Sequence, residues 1–144
     1  MKLRSPSFRN NDFIPRKYTC DDADINPELL ISDIPPETKS LVLIVDDPDA
    51  PKGNWLHWLV YDIPVTEIIK ENSIPGSEGI NDYNQRGYGG PCPPKGTHHY
   101  HFRLFALDTM LNLGSNRTRD EVENAMSGHI LDKAEITGLY SRDA

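Results

Sequence analysis

The stretch from Leu41 to Val60 constrains the fold more than any other part of the chain. Leu41 to Val45 is an apolar run rich in β-branched residues, which is typical of a strand buried on both faces. The run ends in Asp46-Asp47-Pro48-Asp49-Ala50-Pro51, where two prolines stiffen the backbone and remove two donors. The sequence therefore predicts a core strand that leads into a rigid corner carrying three carboxylates.

The chain returns from this corner through a second apolar segment. It begins with Trp55-Leu56-His57-Trp58 and continues to Ile63 with apolar residues on both alternating faces, which predicts a central strand. If the two strands lie close together, His57 comes back beside the aspartates. An imidazole near fixed carboxylates and walled by tryptophan is the composition of a small polar site in an apolar setting.

A second proline-stiffened loop runs from Gly87 to Thr97. Its glycines let backbone N–H groups approach a ligand closely, although such a pattern by itself is more often an ordinary turn. A P-loop is excluded because no glycine precedes Lys95 and a strand pattern follows where a helix is needed. From His98 to Leu107 the residues alternate, and one face carries His98, Tyr100, Phe102 and Leu104.

The polar residues of these segments form one candidate pocket if the two corners meet. It would contain Asp47, Asp49, His57, His98 and Tyr100, whose mixed oxygen and nitrogen ligands fit a divalent metal or a phosphate monoester or diester. Each histidine alone is more often structural. The sequence contains no motif for nucleophilic or zinc hydrolysis.

The remaining segments predict further strands and one clear helix. Thr118 and Glu121 form a capping box, with Val122, Ala125, Met126 and Ile130 as the buried stripe of that helix. Other predictions are an edge strand in residues 2–8, an extended segment over 14–20, one short strand within a loop over 21–36, a turn of helix over 65–70 and a last strand over 134–140. Strands without intervening helices favour antiparallel sheets.

The composition narrows the class of protein. A length of 144 residues predicts a single domain over residues 1–144. A net charge of −7 argues against nucleic-acid binding. No signal peptide and no apolar run long enough to span a membrane are present, which predicts a soluble, cytoplasmic protein. In a reducing cytosol, Cys20 and Cys92 are expected to be free thiols.

Taken together, these segments resemble the phosphatidylethanolamine-binding proteins, or Raf kinase inhibitor-like proteins, and most closely their short bacterial and archaeal branch. The resemblance covers nearly the whole chain. It is carried by Asp47-Pro48-Asp49-Ala50-Pro51, Trp55-Leu56-His57-Trp58, Gly87-Tyr88 with Gly90-Pro91-Cys92-Pro93-Pro94, His98-His99-Tyr100 and Gly128-His129-Ile130-Leu131.

This resemblance implies a mainly β fold with one large and one small antiparallel sheet, a few peripheral helices and an anion pocket. The pocket would also contain a cis peptide near the first motif. The ligand-binding residues carried over by motif are Asp47, Asp49, Pro51, Trp55, His57, Gly90, Pro93, Pro94, His98 and Tyr100. His99 stands where an arginine is common, which removes one fixed positive charge.

The function implied is non-enzymatic binding of a small phosphorylated or phospholipid head-group ligand, without a metal or other cofactor. Modulation of a protein kinase or protease and a homodimer are implied as well. Little sequence follows Tyr140, so a C-terminal helix over the pocket is not expected. A metal-assisted hydrolase using the same aspartates and histidines is the alternative.

Overall fold

The computed structural model describes residues 1–142, and most of its regular structure is β-strand. The strands and the single α-helix of this described part are, in chain order, β1 (Lys2–Arg4), β2 (Asp12–Phe13), β3 (Leu29–Ser32), β4 (Ser40–Asp47), β5 (Trp55–Ile63), β6 (Ile68–Ile69), β7 (Ser77–Glu78), β8 (Thr97–Leu107), α1 (Arg119–Met126) and β9 (Ile130–Ser141). The last two residues of the predicted domain lie outside the described range. No helix within residues 1–142 has the length and apolar character needed to cross a bilayer.

The strands form one small and one large sheet, as predicted. The small sheet has the order β1-β3-β6, and the large sheet has the order β2-β9-β8-β4-β5-β7. All pairs are antiparallel except the short parallel pair of β2 with β9. The two long hairpin-like pairings, β4 with β5 and β8 with β9, place the ends of distant segments side by side.

Strand β4 lies inside the large sheet and is buried along its whole length. Leu41, Leu43 and Val45 belong to the apolar cluster that also contains residues of the small sheet. Val42 and Ile44 point to the opposite face, where they pack in a cluster with α1. Because both faces are covered, a continuous apolar run is what this position requires, and the predicted core strand is confirmed.

Strand β8 shows the predicted alternation, and the predicted helix cap is also confirmed. His98, Tyr100, Phe102 and Leu104 are buried, whereas the residues between them are partly or fully exposed. The Thr118 hydroxyl accepts from the Glu121 backbone N–H, and the Glu121 side chain accepts from the Thr118 backbone N–H. The helix ends at Met126, so Ile130 does not extend its buried stripe but begins β9.

Several local predictions were wrong because tertiary contacts override short sequence patterns. The segment over 14–20 contains a 3₁₀ helix, Arg16–Tyr18, and residues 65–70 contain the short strand β6 in place of a helical turn. The last strand is longer than predicted and begins at Ile130. No cis peptide bond occurs in residues 1–142, so the expected cis bond near the first motif is also wrong.

The expectation of two free thiols is wrong as well. Cys20 and Cys92 form a disulfide, with 5.5 Å between their Cα atoms and a separation of 72 positions in sequence. The fold brings the two segments together, and the Cys20 N–H donates to the Pro91 carbonyl at 3.1 Å beside the bond. The separation in sequence gave no sign of this contact.

Candidate functional site

The first corner is organised by Asp47, the last residue of β4. One of its carboxylate oxygens accepts the Asp49 backbone N–H at 2.8 Å, which shapes the turn. The other lies 2.6 Å from Nδ1 of His98, and both side chains are buried. Because a carboxylate accepts, the His98 Nδ1 carries the proton and Nε2 is the ring nitrogen left for another partner. The two proline-stiffened segments therefore meet through this bond.

The neighbouring aspartates have different partners. Asp46 points to the opposite face of β4 and accepts from Arg103 Nε at 3.0 Å, Arg119 Nη2 at 2.8 Å and Asn54 Nδ2 at 3.0 Å. Asp49 accepts from both the backbone N–H and Nδ1 of His99, at 2.8 and 2.6 Å. Only Asp47 of the three faces the site, since Asp46 is fully paired elsewhere and Asp49 ties the corner to β8.

A β-bulge determines the face of the sheet on which the His57 side chain lies. In the pairing of β4 with β5, Val45 lies opposite Trp58 and Asp46 lies opposite Leu56, so His57 is the extra residue. A bulge changes the alternation of side chains. His57 and Trp58 consequently both lie on the face between the sheets, where the His57 ring makes an edge contact with the Tyr100 ring at 5.2 Å between centroids.

The His57 ring is held by the second loop. Its Nδ1 lies 2.7 Å from the Gly89 carbonyl oxygen, and the Gly89 N–H donates back to the His57 carbonyl at 3.0 Å. A carbonyl can only accept, so Nδ1 carries the proton and Nε2 remains available. Burial lowers the pKa of His57, although the Gly89 carbonyl and the charge of Asp47 oppose this effect. Burial therefore favours the neutral form of His57.

The second loop is fixed to the segment that contains Cys20. The Gly90 N–H donates to Asp24 at 2.8 Å, and the Tyr88 hydroxyl donates to the Tyr18 carbonyl at 2.7 Å. A Cβ at Gly90 would clash with both the Asp24 carboxylate and the Tyr18 carbonyl. The absence of a side chain at Gly90 thus serves close packing of the loop against this segment.

These elements surround a cavity of about 320 Å³. Eight of the ten predicted ligand-binding residues line it, namely Asp47, Pro51, Trp55, His57, Pro93, Pro94, His98 and Tyr100. Asp49 and Gly90 do not line it: Asp49 bonds to His99 of β8, and the Gly90 carbonyl accepts from Tyr83, which does line the cavity. Four further residues line the wall and were not predicted, namely Ala50, Lys52, Tyr83 and Cys92.

Two of the unpredicted residues matter chemically. Lys52 carries the only permanent positive charge among the described residues of the cavity wall. Tyr83 makes edge contacts with Trp55 and His57, and its hydroxyl donates to the Gly90 carbonyl at 3.2 Å. Burial raises the pKa of Tyr83 to about 12, so the hydroxyl stays neutral. Lys52 could have been predicted as a site residue because it directly follows Pro51 in the first corner. Tyr83 could not, because it lies in a loop without any periodic pattern.

The Tyr100 hydroxyl has an unusual environment. Tyr100 is 1% exposed, and its hydroxyl has no hydrogen-bond partner among residues 1–142. Burial, followed by the charge of Asp47, raises its pKa far above the usual range, so the hydroxyl keeps its proton. A buried hydroxyl without a partner is unfavourable by about 1–3 kcal/mol. A bound molecule that supplied the missing hydrogen bond would therefore be stabilised here.

The described residues do not form a metal centre. No group of three or more His, Cys, Asp or Glu side chains within residues 1–142 is arranged to hold a metal ion. Asp47 and His98 are bonded to each other, and the Nδ1 atom of His57 is used by Gly89. The metal-assisted alternative gains no support from this arrangement.

Comparison with known proteins points to one family. A family model described as phosphatidylethanolamine-binding protein matches residues 4–141. A UPF0098 protein of Pyrococcus horikoshii is 50% identical over 154 residues, covering 99% of this chain and 78% of its own. A UPF0098 protein of Methanothermobacter thermautotrophicus is 43% identical over 150 residues, covering 99% of both chains.

Two solved structures share the fold over nearly the whole chain. A phosphatidylethanolamine-binding protein homologue of Chlamydia trachomatis, CT736, superimposes with a TM-score of 0.95 at 41% identity, covering 99% of this chain and 97% of the other. YbcL of Escherichia coli is described as a new member of the mammalian phosphatidylethanolamine-binding protein (PEBP) family. It superimposes with a TM-score of 0.90 at 29% identity, covering 99% of this chain and 98% of its own.

Proposed function

Because the chain belongs to the phosphatidylethanolamine-binding protein family, we propose that it is a non-enzymatic binding protein for small phosphate-bearing ligands. The observation that carries this proposal is the 2.6 Å bond between Asp47 and His98, which joins two segments 51 residues apart into the wall of one cavity. The ligand-binding set we propose is Asp47, Asp49, Pro51, Trp55, His57, Gly90, Pro93, Pro94, His98 and Tyr100, with Lys52 added.

The polar atoms of the cavity suit a phosphoryl group. Lys52 supplies a positive charge, and the Tyr100 hydroxyl supplies a donor that no other group within residues 1–142 uses. His98 lines the cavity and has Nε2 left for a ligand, since its Nδ1 is bound to Asp47. These groups offset the repulsion that a chain of net charge −7 exerts on an anion.

The size of the cavity limits the ligand. A volume of about 320 Å³ is at the lower end of the range for small-molecule sites, which is roughly 300–1,000 Å³. A head group such as phosphoethanolamine fits this volume, whereas an acyl chain would have to remain outside. The proline and tryptophan side chains of the wall would pack against the carbon atoms of the head group.

Calorimetric titration of the purified protein with phosphoethanolamine tests the proposal. We expect saturable one-to-one binding, and we expect His98→Ala to weaken it at least about tenfold, since one hydrogen bond to a charged group contributes about 1.5–3 kcal/mol. His129→Ala is the matched control because His129 pairs with Asp108 at 2.8 Å and does not line the cavity. Absence of heat with the wild-type protein would contradict the proposal.

The remaining expectations from the family stay proposals. We propose a single domain over residues 1–144, a homodimer, a cytoplasmic location and modulation of a protein kinase or protease. Sedimentation of the purified protein tests the dimer, and inhibition assays against a kinase and a protease panel test the modulation. A cytoplasmic location would expose the Cys20–Cys92 bond to a reducing thiol pool, so trapping thiols at lysis measures whether the bond exists there.

A further inference from the structure

We propose that the cavity selects phosphate ligands that still carry a proton, with the ligand P–O–H donating to Nε2 of His57. This inference rests on the proposed function and narrows its ligand class to phosphate monoesters in the monoanionic form. Phosphate diesters and sulfate esters carry a similar negative charge but have no such proton. The cavity should therefore bind a phosphate monoester more tightly than a diester or a sulfate ester of similar shape.

The first argument is the fixed tautomer of His57. Its Nδ1–H is committed to the Gly89 carbonyl at 2.7 Å, and the ring is held edge-on by Tyr83 and Tyr100 with centroid distances of 5.7 and 5.2 Å. A flip of the ring would replace Nδ1 by a carbon atom and lose the hydrogen bond to Gly89. His57 in its neutral form consequently offers a lone pair, and only a ligand that donates a hydrogen bond can use it.

The second argument is the charge around His57. The ring is in contact with the Tyr83 and Tyr100 rings and the Gly89 carbonyl, and it shares the cavity wall with Asp47 of β4 and His98 of β8. The Asp46 carboxylate lies on the opposite face of β4 and acts on the ring only through its charge. Burial favours the neutral ring despite the two carboxylates. A phosphate dianion would bring two negative charges close to the Asp47 carboxylate and to the lone pair of His57 Nε2. Lys52 is the permanent positive charge of the wall that would offset this repulsion. The monoanion reduces that repulsion.

The third argument is the unpartnered Tyr100 hydroxyl. Its ring lies between His57 and His98, at centroid distances of 5.2 and 6.4 Å. It can donate to an ionised phosphoryl oxygen while His57 accepts from the protonated one. A monoanionic monoester has both kinds of oxygen, so it satisfies a donor and an acceptor of the protein at once. A diester satisfies only the donor.

The experiment compares three small probes on the wild-type protein, namely methyl phosphate, dimethyl phosphate and methyl sulfate, by calorimetry between about pH 5 and pH 8. Methyl phosphate should bind at least about tenfold more tightly than the other two at the acidic end. Its affinity should fall about tenfold per pH unit above its second pKa, near 6, because the free ligand loses the required proton.

A fourth probe identifies which group loses the proton. Difluoromethylphosphonate has a lower second pKa than methyl phosphate, so its affinity should begin to fall at a correspondingly lower pH. A midpoint that stays the same for both probes would assign the effect to a histidine and overturn this inference. Equal binding of the diester would overturn it too. In both cases the proposed function stands, whereas failure of all four probes to bind would refute the function itself.

Discussion

Asp46 and Asp47 are neighbours in sequence and are both buried, yet they belong to different kinds of site. Asp46 is 0% exposed and is paired with two arginines and an asparagine, so none of its oxygens is left for a ligand. Asp47 is 3% exposed and pairs with a single histidine, His98, which uses only Nδ1 for this bond and whose ring lines a cavity. Burial alone therefore does not mark a functional carboxylate. What marks it is that the residue bonded to the carboxylate still has a hydrogen-bonding atom left for a ligand.

The largest effect should come from opening the Cys20–Cys92 bond, because Cys92 lies in the same cavity wall as Asp47. We expect the double variant Cys20→Ala/Cys92→Ala to lose about 4 kcal/mol of unfolding free energy, because the bond closes a loop of 72 residues in the unfolded chain. Phosphoethanolamine affinity should fall as well, since Cys92 is part of the cavity wall. Urea unfolding measures the first quantity. A loss below about 1 kcal/mol would refute the loop-closure argument.

The next effect concerns the Asp46 side. Asp46→Asn removes the buried carboxylate that Arg103 and Arg119 share, and we expect a loss of about 2–3 kcal/mol although each arginine keeps an exposed partner, Glu135 or Glu123. The value is at the lower end for a broken buried pair because both arginine side chains remain partly exposed, at 34% and 26%. Binding of phosphoethanolamine by the folded variant should be unchanged. A large loss of affinity would show that the two faces of β4 are coupled.

Two Tyr→Phe variants, each of which removes one hydroxyl oxygen, test the same comparison. Tyr100→Phe removes a hydroxyl without a described partner, so stability should stay the same or rise by up to about 1 kcal/mol while phosphate affinity falls about tenfold. Tyr61→Phe is the matched control. Its hydroxyl contacts the Gly114 carbonyl and the Arg117 N–H, so that variant should lose about 1 kcal/mol and keep its affinity. The opposite pattern would remove Tyr100 from the site.

The smallest effect is the pH dependence of stability that comes from His57. Its folded pKa is lowered by burial, so below its ordinary value of 6.5 the unfolded chain binds more protons than the folded chain. This contribution to stability is therefore lost as the pH falls from about 6.5 toward the folded pKa. We expect His57→Gln to flatten this part of the profile in urea unfolding at several pH values. An identical slope in the variant would exclude the contribution.

Much of this site could be predicted because the informative residues lie in regular strands. The alternation of β8 assigned His98 and Tyr100 to one face, and the apolar run of β4 led directly into the aspartates of the first corner. The family motifs suggested that the two ends meet. The prediction of two sheets followed from the strand pattern and the resemblance together.

The rest depended on contacts that no local pattern encodes. Simple alternation would place His57 and Trp58 on opposite faces, and only the bulge in β5 brings both to the cavity side. The disulfide needed the tertiary proximity of Cys20 and Cys92, and Tyr83 needed the path of an irregular loop. The corner also closes with trans peptide bonds, which its proline content did not reveal.

One measurement tests the central claim that Asp47, His57 and His98 form a ligand site. Two-bond ¹H–¹⁵N correlation spectra resolve the ring nitrogens of all five histidines during a titration with methyl phosphate. We predict that the Nε2 signals of His57 and His98 move together with one dissociation constant, while those of His101 and His129 stay in place. Movement confined to the exposed histidines, or a spectrum unchanged by the ligand, would contradict the account.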